Sequence, residues 1–413
     1  MAQGDAGLTL APDALGAAPK ALLHDHLDGG LRPATVLELA DEIGWTLPAT
    51  SEAELQAWFT RGAETADLLQ YLATFEHTLA VMQTPAHVER VAAEAVVDLA
   101  TDGVVYAEIR FAPELHCAGS FARSKTRSAH RAASFARSKT RSAHRAGSFA
   151  RSKTRSAHTA MSPQAAIEAV AAGFRRGEQE AAADGHPISA WIICCAMRTA
   201  DRSLEIARLV DSMRHREPKV VAFDLAGAET GFPPSMHAAA LAFAREHHLN
   251  VTIHASEPPD LELIDDALVH GAHRIGHGVR LGRDTTPDPD APGGLRLGPL
   301  ARYVLDRRVH LELAPTCNVQ IGAVGSIAEH PIGPFLRAGF SVGVNTDNRL
   351  MSGVLPSSEL AAVATAFDLS WPEVERLVTN AVEAGFAPYE ERRRLLDHVI
   401  RPWFASASRQ VGE

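Results

Sequence analysis

Short apolar runs alternate with longer amphipathic stretches along most of this chain. Eight runs carry Val, Ile and Leu on both faces: Leu22–Asp28, Val104–Phe111, Ile188–Met197, Val220–Gly227, Asn250–Glu257, Arg274–Gly278, Val309–Thr316 and Ser341–Asp347. Two-sided apolar runs of this length fit strands buried in a parallel sheet. Between them, apolar residues recur with helical spacing in Ser162–Ala182, Ser203–Met213, Ser235–His247, Leu261–His270 and Pro299–Asp306, and Pro356–Ala384 reads as helix after the last strand. Eight strand–helix units in one chain predict an α/β fold, a closed (β/α)8 TIM barrel spanning residues 1–413 as a single domain. The helical stretch Pro33–Leu99 exceeds one crossover and predicts extra helical segments over the C-terminal face of the barrel.

One segment breaks the alternation. Residues 119–132, 133–146 and 147–160 are three nearly identical 14-residue units, GSFARSKTRSAHRA in the first. Together they hold 11 Lys and Arg and no Asp or Glu, so the rest of the chain carries 29 basic against 50 acidic residues. One Phe and a few Ala per unit bury too little surface to offset ordering entropy, which predicts a disordered basic insert, a tandem expansion in a tolerant loop.

Composition narrows the function. With 46% hydrophobic and 22% charged residues the chain has globular proportions. Its net charge of −10 disfavours general nucleic-acid binding. Neither an apolar run of roughly 18 residues nor a basic start followed by an apolar stretch occurs, so no membrane and no secretory signal are expected. Cys117, Cys194, Cys195 and Cys317 include an adjacent pair inside an apolar run, which suits buried thiols in a reducing, cytoplasmic setting; without Cys-x-x-Cys a thiolate zinc site is not expected. Nothing points to an obligate protein partner.

The chemistry gathers at strand ends. His24 and His26 are two apart on the first run, so both imidazoles project to the same side of a strand. His24, His26 and Asp28 end the first strand, Asp224 the fourth, His254 and Glu257 the fifth; His277 lies on the sixth, and Asp347 ends the eighth. C-terminal strand ends of a barrel converge on one face, and packing alone is a poor account of so many titratable groups there. His24, His26 and His254 supply three nitrogens for one Zn2+ per chain, and Asp347 adds an oxygen and can hold the attacking water. Glu257, just past the strand end, is placed to donate a proton to a ring nitrogen and then to a leaving amine; the plainer alternative is a carboxylate at a helix start. His277, between two glycines, is placed to orient the nucleophile, or else packs behind the metal.

These stretches, LLHDHLDGGLRPATVLELA, VVYAEIRFAPELH, VVAFDLAG, HASE, HRIGHGVRLG, SIAEHPI and VNTDN, resemble in order the motifs of the adenosine deaminase family, over essentially the whole chain outside the insert. The resemblance implies a zinc-dependent (β/α)8 hydrolase of purine salvage that converts adenosine or 2′-deoxyadenosine and water to the inosine product and ammonia. It implies His24, His26, His254 and Asp347 as zinc ligands, Glu257 as the acid that protonates purine N1, and His277 as the group assisting the zinc hydroxide. Substrate contacts fall to His26, to Asp28 beside the ribose 5′-hydroxyl, to the Gly227 amide at purine N3, and to Asn348 at N7. The chain departs from the family pattern at Ser256 (often Gly), Asn348 (often Asp), Ala314–Asn318 and Pro258–Pro259. Asn can always donate to a ring acceptor, whereas Asp must first be protonated. Two further readings stand beside adenosine: a related 6-aminopurine such as adenine, a modified adenosine or aminofutalosine, and a catalytically silent binding protein on the same fold.

Overall fold

A computed structural model describes residues 10, 12–65, 68–117, 160–258 and 260–411. The expectation of a disordered insert over 119–160 lies outside these residues, Ala160 excepted, as does Pro259.

Eight parallel strands form the sheet: β1 (Lys20–His26), β2 (Val104–Phe111), β3 (Ser189–Met197), β4 (Val220–Ala226), β5 (Asn250–Ala255), β6 (Arg274–His277), β7 (His310–Leu313) and β8 (Val342–Val344). Each pairs with the next in chain order, and β8 returns to β1 through a parallel bridge between Asp347 and Asp25. That bridge closes the (β/α)8 barrel: Asp347 N–H donates to the His24 carbonyl at 2.9 Å and His26 N–H to the Asp347 carbonyl at 2.7 Å. Backbone thus stitches the segment that carries His24 and His26 to the one that carries Asp347.

Six of the eight strands stop one to three residues before the C-terminal ends of the apolar runs, while β2 and β3 end where those runs do. Asp28 lies in a 3-10 turn, Leu27–Gly29, and the run through Thr316 stops at Leu313 because Pro315 opens a helix, Pro315–Gln320. In Pro33–Leu99 the expected helical segments are present as Pro33–Ile43, Glu52–Ala63, Leu68–Ala73, Phe75–Val81 and Pro85–Thr101. The last is the ordinary first crossover, packed against Pro163–Ala183. Glu52–Ala63 reaches the loop after β8, where Gln56 donates to the Leu350 carbonyl. A short antiparallel hairpin, Thr285–Pro287 with Leu295–Leu297, follows β6.

The barrel lumen is charged rather than apolar. Arg110 bridges Asp224 (3.1 Å) and Glu312 (2.6 Å), while Arg274 joins Glu312 (2.7 Å) to Glu108 (2.6 Å), all nearly or fully buried. Burial pushes the Glu312 carboxyl up, but Arg110 and Arg274 overcome it and hold it at about 2. Removing one member of such a network strands its partner charge, at a cost of about 3–5 kcal/mol.

Candidate active site

β1 turns His24 and His26 to the C-terminal mouth, β5 delivers His254, and the closing bridge brings Asp347 beside them. The four ligand atoms all lie within 4.8 Å of one another. His24 Nε2 is 3.2 Å and His26 Nε2 3.4 Å from Asp347 Oδ1, and His26 Nε2 is 3.1 Å from His254 Nε2. A tetrahedral ion with bonds of about 2.1 Å needs donor atoms about 3.4 Å apart, so these spacings fit one small cation. His24 Nε2 is buried without a hydrogen-bond partner. Burial, with Arg110 and neighbouring imidazoles behind it, lowers the pKa of His24 well below the usual value, and burial with His254 does the same for His26. Neutral imidazoles are the form that binds a metal.

Each inner imidazole is held from behind. His24 Nδ1 meets Glu312 Oε2 at 3.0 Å and His254 Nδ1 meets Asp224 Oδ2 at 3.1 Å, and Arg110 links those two carboxylates. Both contacts fix the ring so that Nε2 faces the cluster. Cys317 donates its thiol to Asp347 Oδ2 at 2.9 Å, which leaves Oδ1 toward the histidines. Gly276 allows the approach of β6, since a Cβ there would come within 3.2 Å of His24 Cε1.

Glu257 is buried, and its pKa is raised well above the usual carboxyl range, by burial first and then by the Glu229 and Asp347 carboxylates. Glu229 accepts the backbone N–H groups of Ser256 (2.8 Å) and Glu257 (3.2 Å). It thereby holds Ser256 at φ +78, where a side chain is strained. His277 Nε2 lies 3.5 Å from Glu257 Oε1. Asp28 is buried with Oδ1 unpartnered, and burial raises its pKa to about 7. Asn348 donates to the Tyr71 hydroxyl at 2.7 Å while its Oδ1 has no partner. Gly227 ends β4 at φ +94, and a Cβ there would meet Met197.

Of the residues singled out in the sequence, His24, His26, His254 and Asp347 come together as one cluster; Glu257, His277, Asp28, Gly227 and Asn348 stand outside that quartet. Sequence reasoning missed Arg110, Glu229, Glu312, Asn318 and His330. Arg110 and Glu312 did leave a signal, as charges in the middle of otherwise apolar strands; Glu229, in a loop, left none.

An adenosine deaminase family model matches residues 19–402. The adenosine deaminase of Mycobacterium tuberculosis is 44% identical over 391 residues, 94% of this chain and 95% of that protein. The adenine deaminase of Arthrobacter aurescens superposes with a TM-score of 0.71 at 24% identity, covering 95% of this chain and 100% of that one. A Burkholderia ambifaria amidohydrolase crystallised with bound Zn gives 0.72 at 18% identity, covering 98% and 97%. The last two are likenesses of fold.

Proposed function

This chain belongs to the adenosine deaminase family, and from that footing we propose that it hydrolyses adenosine and 2′-deoxyadenosine to the inosine products and ammonia, with one Zn2+ held by His24, His26, His254 and Asp347. The carrying observation is the cluster of three imidazoles and one carboxylate within 4.8 Å beside a buried Glu257. A bound zinc ion supplies Lewis acidity and brings the pKa of a water to about 7.

The chain's residues do the rest. Glu257, whose pKa is raised by burial and by Glu229 and Asp347, donates to purine N1 as the nucleophile attacks C6, so the ring loses aromaticity without building charge on N1. The ionised Glu257 then accepts the proton that the attacking water gives up and passes it to the departing amine, which leaves as ammonia. His277 Nε2 faces the same space and orients the attacking oxygen. Asp28, with an unpartnered buried oxygen, receives the ribose 5′-hydroxyl; the Gly227 amide meets purine N3, and Asn348 meets N7 through the second N–H of its amide, the first being on the Tyr71 hydroxyl. The buried cysteines suit a cytoplasmic setting.

A spectrophotometric assay across adenosine, deoxyadenosine, adenine and AMP tests the reading. The highest kcat/KM is expected for the two nucleosides. Turnover of adenine or AMP with neither nucleoside touched refutes the substrate assignment.

A further inference from the structure

Behind His277 lies a chain of hydrogen bonds that ends on the backbone. Ile332 N–H donates to His330 Nδ1 at 3.1 Å. A backbone amide can only donate, so His330 Nδ1 is bare and the neutral ring carries its proton on Nε2. His330 Nε2 lies 3.1 Å from Asn318 Oδ1, which fixes the amide with its oxygen toward His330. The Asn318 Nδ2 group then faces His277 Nδ1 at 3.2 Å and donates to it. His277 Nδ1 is an acceptor, so its proton sits on Nε2, the nitrogen that points toward Glu257 and has no partner. All three side chains are buried, and burial lowers the pKa of His330 to about 3.

We propose that Asn318 and His330 are positioning residues that write the tautomer of His277, making its Nε2 a hydrogen-bond donor into the active site. The inference deepens the deaminase reading: it assigns His277 as a donor to the attacking oxygen and denies it the role of accepting that oxygen's proton through Nε2.

The test reads the tautomer directly. Long-range 15N–1H spectra of the zinc-loaded, 15N-histidine-labelled full chain identify His277 by the signal lost in His277→Gln. A protonated Nε2 with a bare Nδ1 is expected; a proton on Nδ1 overturns the proposal. In Asn318→Leu the donor to Nδ1 is gone, and a mixture of both tautomers is expected, with zinc content unchanged and kcat lowered about tenfold or more at nearly constant KM. An unmixed Nε2–H tautomer in a folded Asn318→Leu protein also overturns it. If that variant fails to fold, the wild-type spectrum decides alone. An inactive protein with the Nε2–H tautomer sinks the deaminase reading and leaves the relay standing.

Discussion

At the scale of single residues, the site holds carboxyl groups whose pKa values are pushed in opposite directions. Burial and the Glu229 and Asp347 carboxylates push Glu257 up, whereas His254 and Arg110 hold the buried Asp224 below its usual range against the pull of burial. Glu257→Gln preserves shape and removes the transferable proton. It is expected to keep its zinc and lose about a thousandfold or more in kcat; near-normal turnover contradicts the acid role. His26→Ala removes one of four ligands and is expected to lower zinc content after dialysis, measured by atomic emission. Full occupancy in that variant contradicts the ligand set. His24, His26, His254 and Asp347 were legible because strand-end histidines have few structural uses and the alternation of strands and helices located those ends. Glu229 was not legible, because nothing in Gly227–Gly231 announces that its carboxylate folds back onto the loop after β5.

At the scale of elements, local chemistry explains where the sequence reading stopped short. Pro356–Ala384 reads as one helix by periodicity but forms two, Pro356–Phe367 and Trp371–Ala384. Asp368 takes the left-handed conformation at φ +47, and Ser370 with Glu373 forms a capping box for the second helix. The β5 loop obeys a similar local rule: Glu229 supplies two acceptor oxygens to the backbone N–H groups of Ser256, which is strained, and Glu257. Glu229→Gln turns an NH2 group against one of those N–H groups, and a loss of about 1–3 kcal/mol in urea unfolding is expected, with a fall in kcat; unchanged stability and kcat contradict the clamp. The crossover after β2 ends in a sound helix start, since Ser162 accepts from Ala165 N–H and Pro163 follows it. Deleting residues 119–159 leaves that start intact, and a melting temperature within about 3 °C of the full chain is expected. A collapse of the transition assigns the insert a structural role.

At the scale of the molecule, the barrel buries histidines in their neutral form, and that sets an acid limit. Burial lowers His116 to about 4, His310 to about 3 and His330 to about 3. The unfolded chain protonates each near pH 6.5 while the folded chain refuses until far lower, so stability is full at neutral pH and falls as pH drops from about 6.5 toward 4. Each contributes roughly 2 kcal/mol of loss by pH 5. His310 sits away from the metal ligands, bonded to Ser341 Oγ, so His310→Gln isolates one such group. Its stability is expected to fall with acid by about 1.4 kcal/mol less per pH unit below pH 6 than that of the wild type; parallel slopes contradict this account. The barrel itself was readable from eight two-sided apolar runs. Its charged lumen was not, because pairing Arg110 with Asp224 and Glu312 depends on which strands face one another across the closed sheet.

The proposed zinc site draws its ligands from β1, from β5 and from the segment that follows β8. An anomalous difference map collected at the zinc edge from crystals of the purified chain tests it most directly. One peak per chain is expected, in bonding contact with His24 Nε2, His26 Nε2, His254 Nε2 and Asp347 Oδ1. Zinc bound elsewhere, or none retained at that point in protein purified without chelator, contradicts it.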